Sequence, residues 1–159
     1  MPTPAKLKPL WRCPECGERF VTKNLWHSCG HFSLEQLFAR SEPHVLQLFK
    51  SFERMVRKCG PVRTIPQKTR AAFQMRMRFA ACYRRKSYLI CTLVLPRVVN
   101  NSRIVKIEHY SPGCILHYLH LRSKTDLDRE LQLWLRESYQ VGAQTELSQH
   151  PQINLRKVH

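Results

Sequence analysis

Acidic residues are scarce in this chain, and its middle nearly lacks them. There are 27 Lys and Arg against 11 Asp and Glu, a formal net charge of +16. Residues 61–124 carry +12 of that charge, thirteen cations against the single acid Glu108. Hydrolysis by paired carboxylates and two-metal chemistry both need converging acids, so one Glu among cations excludes them from this stretch. Asp126, Asp128 and Glu130 gather instead in the closing helical segment. Apolar runs long enough to span a membrane are also missing. The opening MPTPAKLKPLW has no apolar core of the kind a secretory signal carries. Nor do the cysteines suit a disulfide framework, because there are seven of them. Cys59, Cys82, Cys91 and Cys114 sit in apolar patterns, as buried thiols do in a reducing compartment. A cytoplasmic location is expected. No internal repeat is visible.

What the chain does have is a metal-ligand signature in residues 11–31, WRCPECGERFVTKNLWHSCGH. Cys13-Pro14-Glu15-Cys16-Gly17 is a tight turn that presents two thiolates to one point. Ten residues later a second knuckle, His27-Ser28-Cys29-Gly30-His31, offers imidazole and thiolate. The spacing matches zinc ribbons and fingers. A redox Cys-X-X-Cys normally opens a helix inside a βαβ unit, and nothing here has that context. One zinc per chain is expected, held by Cys13, Cys16 and Cys29. His27 and His31 compete for the fourth place, since both lie two residues from Cys29. Four protein ligands close the shell, which makes the metal structural and not catalytic. The stretch is too short for a core of its own. Its apolar residues (Trp11, Phe20, Val21, Leu25, Trp26) therefore cover the metal or dock on a neighbouring domain, and metal binding supplies the folding free energy.

The rest of the chain reads as an arm at 1–10, the zinc-ribbon-like unit at 11–32, an α+β domain at 33–142 and a polar tail, expected disordered, at 143–159. Ser33-Leu34-Glu35-Gln36 is a capping box. Ser41 caps a restarted helix with Pro43 in its first turn, and Val45, Leu48, Phe49, Phe52 and Val56 give it an apolar stripe up to Gly60. After a loop at 61–68, residues 71–79 alternate with period two, which predicts one strand with a wet face. Residues 88–95, 103–110 and 114–122 supply three more strands, with turns at Arg84–Ser87 and Ser111–Gly113. A final helix carries Leu127, Leu131, Trp134 and Leu135 and stops at Gly142. The expected architecture is α+β: a four-stranded antiparallel meander with two helices packed on one face, preceded by the small zinc-binding unit.

Several of these stretches are familiar together. HSC, SEPHVLQLF, CGPV, IPQKTR, FQMRMRFA, KIE and WLRESYQVG resemble an uncharacterised bacterial family, domain of unknown function 5655, across residues 11–142. The resemblance implies that the second knuckle is built on His-Ser-Cys, which favours His27 as fourth ligand. It implies an architecture and leaves activity open. The helix-plus-meander layout is also similar to small bacterial domains called iron-chaperone-like, a likeness of fold alone.

Function must come from the charge. On alternating strands His117 and His120 point to opposite faces, so they share no site, and the reading leans away from an enzyme. Gln74, Arg76 and Arg78 share the wet face of their strand, where Lys106, His120 and Arg122 can join them with Tyr118 as a stacking platform. Arg63, Lys68 and Arg70 extend the patch. Such a surface neutralises phosphates without reading bases, so the expected partner is a nucleic acid or another polyanion. The alternative is a small anionic ligand in a pocket between segment 61–70 and the sheet. That alternative needs a concave site with convergent cations, whereas a nucleic-acid surface is open and extended.

Overall fold

The computed structural model describes residues 6–25, 27, 29 and 31–145. Residues 1–5 of the arm, Trp26 and most of the 143–159 tail lie outside them. A two-stranded ribbon, β1 (Trp11–Arg12) and β2 (Arg19–Phe20), precedes helices α1 (Leu34–Phe38) and α2 (Pro43–Arg57). Strands β3 (Arg63–Pro66), β4 (Arg70–Gln74), β5 (Arg78–Arg84), β6 (Leu89–Leu95), β7 (Ile104–Ser111) and β8 (Cys114–Leu121) follow. After a short 3-10 turn at Lys124–Asp126, α3 (Arg129–Ala143) closes the fold. Among the described residues no helix is long and apolar enough to cross a membrane.

The helices start where local chemistry lets them. In α1 the Ser33 side chain and the Gln36 side chain bond each other's backbone, a complete capping box. In α3 the Asp128 carboxylate accepts from the Leu131 amide at 2.9 Å and caps the helix. Ser41 does not cap α2 either. Glu42 holds that position ahead of Pro43, and Ser41 Oγ donates to the Arg85 carbonyl at 2.7 Å. Gly142 does not stop α3, which runs to Ala143 and ends on Gln144 in the left-handed region. Gly142 is required for another reason: a Cβ there would lie 2.5 Å from Phe79 Cδ1.

The sheet has six strands and not four, in the order β3-β4-β5-β6-β8-β7, every neighbour antiparallel. Three differences from the expected meander have physical causes. Residues 71–79 are two strands, because the chain turns at Met75–Met77, where the Arg76 and Met77 amides both donate to the Gly142 carbonyl at 3.1 and 2.9 Å. Segment 61–68 is no loop: β3 pairs with β4 as an edge strand ending at Pro66, a position that tolerates the missing donor. Finally, β8 inserts between β6 and β7. Its His117, Leu119 and Leu121 are fully buried, while β7 exposes Val105, Lys106, His109 and Tyr110, as suits an edge.

All three helices pack on one face. Phe38, Phe49 and Phe52 of α1 and α2 meet Phe73 of β4, with Phe38–Phe49 ring centroids at 5.1 Å and Phe49–Phe73 at 5.9 Å. Leu131, Trp134, Leu135 and Tyr139 of α3 cover the neighbouring strands. Cys82, Cys91 and Cys114 are buried thiols and Cys59 is half-buried. Among the described residues the opposite face of the sheet carries no helix, and the β1–β2 ribbon lies against it.

Candidate metal centre and cationic cleft

The β1–β2 ribbon aligns Trp11 with Phe20 and Arg12 with Arg19, which leaves Cys13–Glu18 as its connecting turn. The Cys13 amide donates to the Glu18 carbonyl at 2.8 Å and the Gly17 amide to the Cys13 carbonyl at 2.9 Å, with Gly17 at a positive φ of 76° that glycine adopts without strain. This turn brings Cys13 and Cys16 to one side. Cys13 Sγ lies 3.8 Å from Cys29 Sγ, and His27 Nε2 lies 3.1 Å from Cys16 Sγ and 3.3 Å from Cys29 Sγ. All four ligand atoms fall within 4.8 Å of one another, so Cys13, Cys16, His27 and Cys29 can hold a metal ion. A tetrahedral zinc site with bonds of about 2.0–2.3 Å has edges of roughly 3.5–3.8 Å, close to this spacing. His27 Nδ1 donates to the Leu25 carbonyl at 2.7 Å, which leaves the Nε2 lone pair toward the sulfurs. His31 is exposed and outside the group.

Charge at the cluster points the same way. The Cys16 amide draws the Cys13 thiol down to about 7, burial opposing it and the Glu15 amide assisting. Burial, then the neighbouring Cys13 and Cys16 sulfurs, push the Cys29 thiol up to about 12. Three thiolates share this volume only when a cation compensates them, and a dication does so.

The knuckle is seated on the helix-free face of the sheet. Gln74 donates its side-chain amide to the Arg19 carbonyl, Arg63 pairs with Glu18 at 2.8 Å, and the Arg78 guanidinium sits 5.4 Å above the Phe20 ring. Phe20 is buried and its ring centroid lies 4.4 Å from that of His27. Beneath it the sheet forms the floor of a cleft of about 540 Å³. Ala72, Ala81 and Thr92 are successive cross-strand partners on β4, β5 and β6, and the row continues through Tyr118 to Lys106. Small side chains in the first three leave the space open.

Two arginines line that space from β4 and β5, on either side of the Ala72–Ala81 pair. Arg70 donates to Gln67 Oε1 at 2.8 Å and to the Tyr83 hydroxyl at 2.9 Å, and Arg78 to Gln74 Oε1 at 3.3 Å. These partners are neutral. Burial, and next the Arg70 charge, hold the Arg78 guanidinium below its ordinary range, with the Glu18 charge opposing. Across the sheet, on β7 and β8, Tyr110 and Tyr118 share Glu108 Oε2 at 2.8 and 3.4 Å, and Lys106 is ion-paired to the same carboxylate. That carboxylate is held below its usual range by Lys106 and Tyr110. Burial, then Glu108, raises the Tyr110 phenol.

The family model described as domain of unknown function (DUF5655) matches residues 34–142. The chain belongs to this family. No curated protein and no solved structure matches it. The DUF5655 span takes in the whole six-stranded sheet and its helices but for Ala143 at the end of α3, and the candidate metal cluster lies ahead of it.

Within the DUF5655 domain the predicted basic residues divide. Arg70, Arg76, Arg78 and Tyr118 line the cleft. Arg76 sits in the Met75–Met77 turn, bonded to Gln144 Oε1 at 2.7 Å and to the Lys8 carbonyl. Arg63 is engaged with Glu18 at the β3 edge, Lys68 is exposed between β3 and β4, and Lys106 lies over the Tyr118 ring at 5.1 Å. His120 and Arg122 flank Tyr88 at 5.1 and 4.9 Å, outside the cleft lining. None of Asp126, Asp128 or Glu130 pairs with Arg76 or Arg78; the two last hold Arg103 at 3.1 and 3.0 Å. The cleft does not lie between segment 61–70 and the sheet, because that segment is largely strand. It lies on the sheet beneath the knuckle, with Gln67 and Arg70 on its rim. Tyr83, Tyr110 and Thr92 were not singled out in the sequence. Their signal is alternation: Tyr83 follows Ala81 on one face of β5, and Thr92 is the polar residue in an apolar strand.

Proposed function

We propose that this protein is a zinc-stabilised binding module that takes a small anionic ligand in the cleft between knuckle and sheet. Zinc is the metal that a three-Cys, one-His tetrahedron selects, and a closed shell gives it a structural part. The observation that carries the anion is the arrangement of Arg70 and Arg78. Both line a recess, Arg70 is positioned by neutral Gln67 and Tyr83 and Arg78 by neutral Gln74, and neither forms an ion pair among the described residues. Half-buried guanidiniums with unfilled N–H groups gain from a ligand that brings the missing charge and acceptors.

A polyanion is the second reading. The +12 of residues 61–124 favours it, as do Lys68, Arg85, Lys86 and Arg122, exposed on the same domain. The two separate in a titration of the full chain with adenosine monophosphate, repeated against excess single-stranded DNA. A cleft ligand keeps its affinity in the presence of polymer, and Arg78→Gln weakens it by about tenfold, the usual loss of a charge-assisted pair. Displacement by polymer, with a salt slope near −0.7 per phosphate, transfers the function to the open surface. If neither nucleotide nor polymer binds at low salt, both readings are wrong.

A further inference from the structure

We infer that the ligand of this cleft is an anion carried on a flat aromatic body, its charge between Arg70 and Arg78 and its ring over the Ala72–Ala81–Thr92 floor. This inference rests on the anion-binding reading above and narrows it to a chemical class. Three features of the cleft support it independently of the net charge of the chain.

The floor comes first. β-strands favour branched and aromatic side chains, yet β4 and β5 place Ala72 opposite Ala81, and β6 continues the row with Thr92. Two strand spacings make this low strip roughly 10 Å across, wide and shallow enough for a planar ring system. The walls come second. Phe20 from the knuckle, Tyr83 from β5 and Tyr118 from β8 all line the cleft, and aromatic side chains prefer ring partners in stacked or edge-to-face contact. The third feature is the distribution of charge. Arg70 on β4 and Arg78 on β5 flank the Ala72–Ala81 pair along the strands, whereas Tyr118 and Tyr110 lie across the sheet on β8 and β7 with hydroxyls turned to Glu108, which Lys106 already pairs. A ligand charged at one end and uncharged at the other matches this polarity. Inorganic phosphate alone would leave most of about 540 Å³ unfilled, and pockets of this size ordinarily bury most of a drug-sized ligand.

Calorimetric titration of the metal-loaded full chain with three probes tests this: a naphthoate, octanoate and inorganic phosphate. Naphthoate and octanoate share one carboxylate and a comparable apolar size, and differ in having or lacking a flat ring. The expected result is naphthoate binding tighter than octanoate by about tenfold, the scale of one or two ring contacts. Tyr118→Leu keeps apolar volume and removes the ring, so it should cut naphthoate affinity several-fold more than octanoate affinity. Ala81→Phe should fill the floor and abolish naphthoate binding; if that chain does not fold, the Tyr118→Leu split still decides. Octanoate or phosphate binding as well as naphthoate, with no effect of Tyr118→Leu, overturns the aromatic class while the anion-binding reading stands. Binding by none of the three overturns both.

Discussion

His117 occupies the middle of β8 with no exposure to water, and its two ring nitrogens are both engaged. Nε2 accepts from the Val99 amide at 3.0 Å and Nδ1 donates to the Ile115 carbonyl at 3.0 Å, an arrangement only the neutral imidazole can make. Burial holds its pKa below the ordinary histidine value, the Ile115 carbonyl opposes this, and the charges of Arg97 and His109 lower it further. The sign follows directly. Below the unfolded value of about 6.5 the unfolded chain binds a proton that the folded chain refuses. Stability from this residue is therefore present above that pH and is lost as pH falls toward the folded value. Urea midpoints measured from pH 7.5 to 5 should decline, and His117→Gln should flatten the decline; equal slopes in both proteins would rule the residue out. A second buried polar group, Ser138, donates to the Phe79 carbonyl at 2.7 Å and continues the buried stripe of Leu131, Trp134 and Leu135. Its position was legible from helical spacing, its partner was not.

Elements differ in how much of them shows in the chain. The knuckle is legible because ligand spacing is local: Cys-X-X-Cys on a glycine turn fixes two ligands within a few residues. Helices α2 and α3 are legible because their apolar stripes recur over fifteen residues each. The hairpin at Met75–Met77 is hidden, since it contains no Gly, Pro or Asn and its amides are satisfied by the Gly142 carbonyl from the far end of the domain. Strand β3 is hidden for a related reason, because a short edge strand with two prolines nearby has weak local preference and is defined by its pairing to β4. The β8–β7 order shows only in burial, where the strand that buries His117, Leu119 and Leu121 sits inside and the one that exposes residues on both faces sits at the edge. For the knuckle the ligand assignment can be tested one residue at a time. His27→Ala should lose metal, measured as zinc per chain after dialysis, and His31→Ala should retain it. Retention by His27→Ala together with loss by His31→Ala would reverse the assignment.

At the scale of the whole molecule, the knuckle and the DUF5655 domain divide the work. The domain has its own core between sheet and helices, whereas among the described residues the knuckle has one buried aromatic ring, Phe20, beside a Cys/His cluster that can hold a metal ion. The candidate site belongs to neither alone: Arg70, Arg78 and the small-residue floor come from the sheet, and Phe20, Val21 and Leu25 come from the knuckle. The basic residues of the site could be read from the chain, but their convergence could not, since it depends on a six-stranded sheet whose free face carries the knuckle. The lopsided charge suggested an open cationic face, while the fold gathers three of its arginines into a recess. Removing the metal should therefore open one wall of the cleft and leave the sheet folded. The most direct measurement is a titration of the full chain with adenosine monophosphate before and after chelation, with far-ultraviolet circular dichroism and cooperative unfolding followed on the same samples. Affinity lost by about tenfold or more on chelation, with unfolding of the sheet still cooperative, is the predicted result. Undiminished affinity in metal-free protein would contradict a ligand site built jointly by knuckle and sheet.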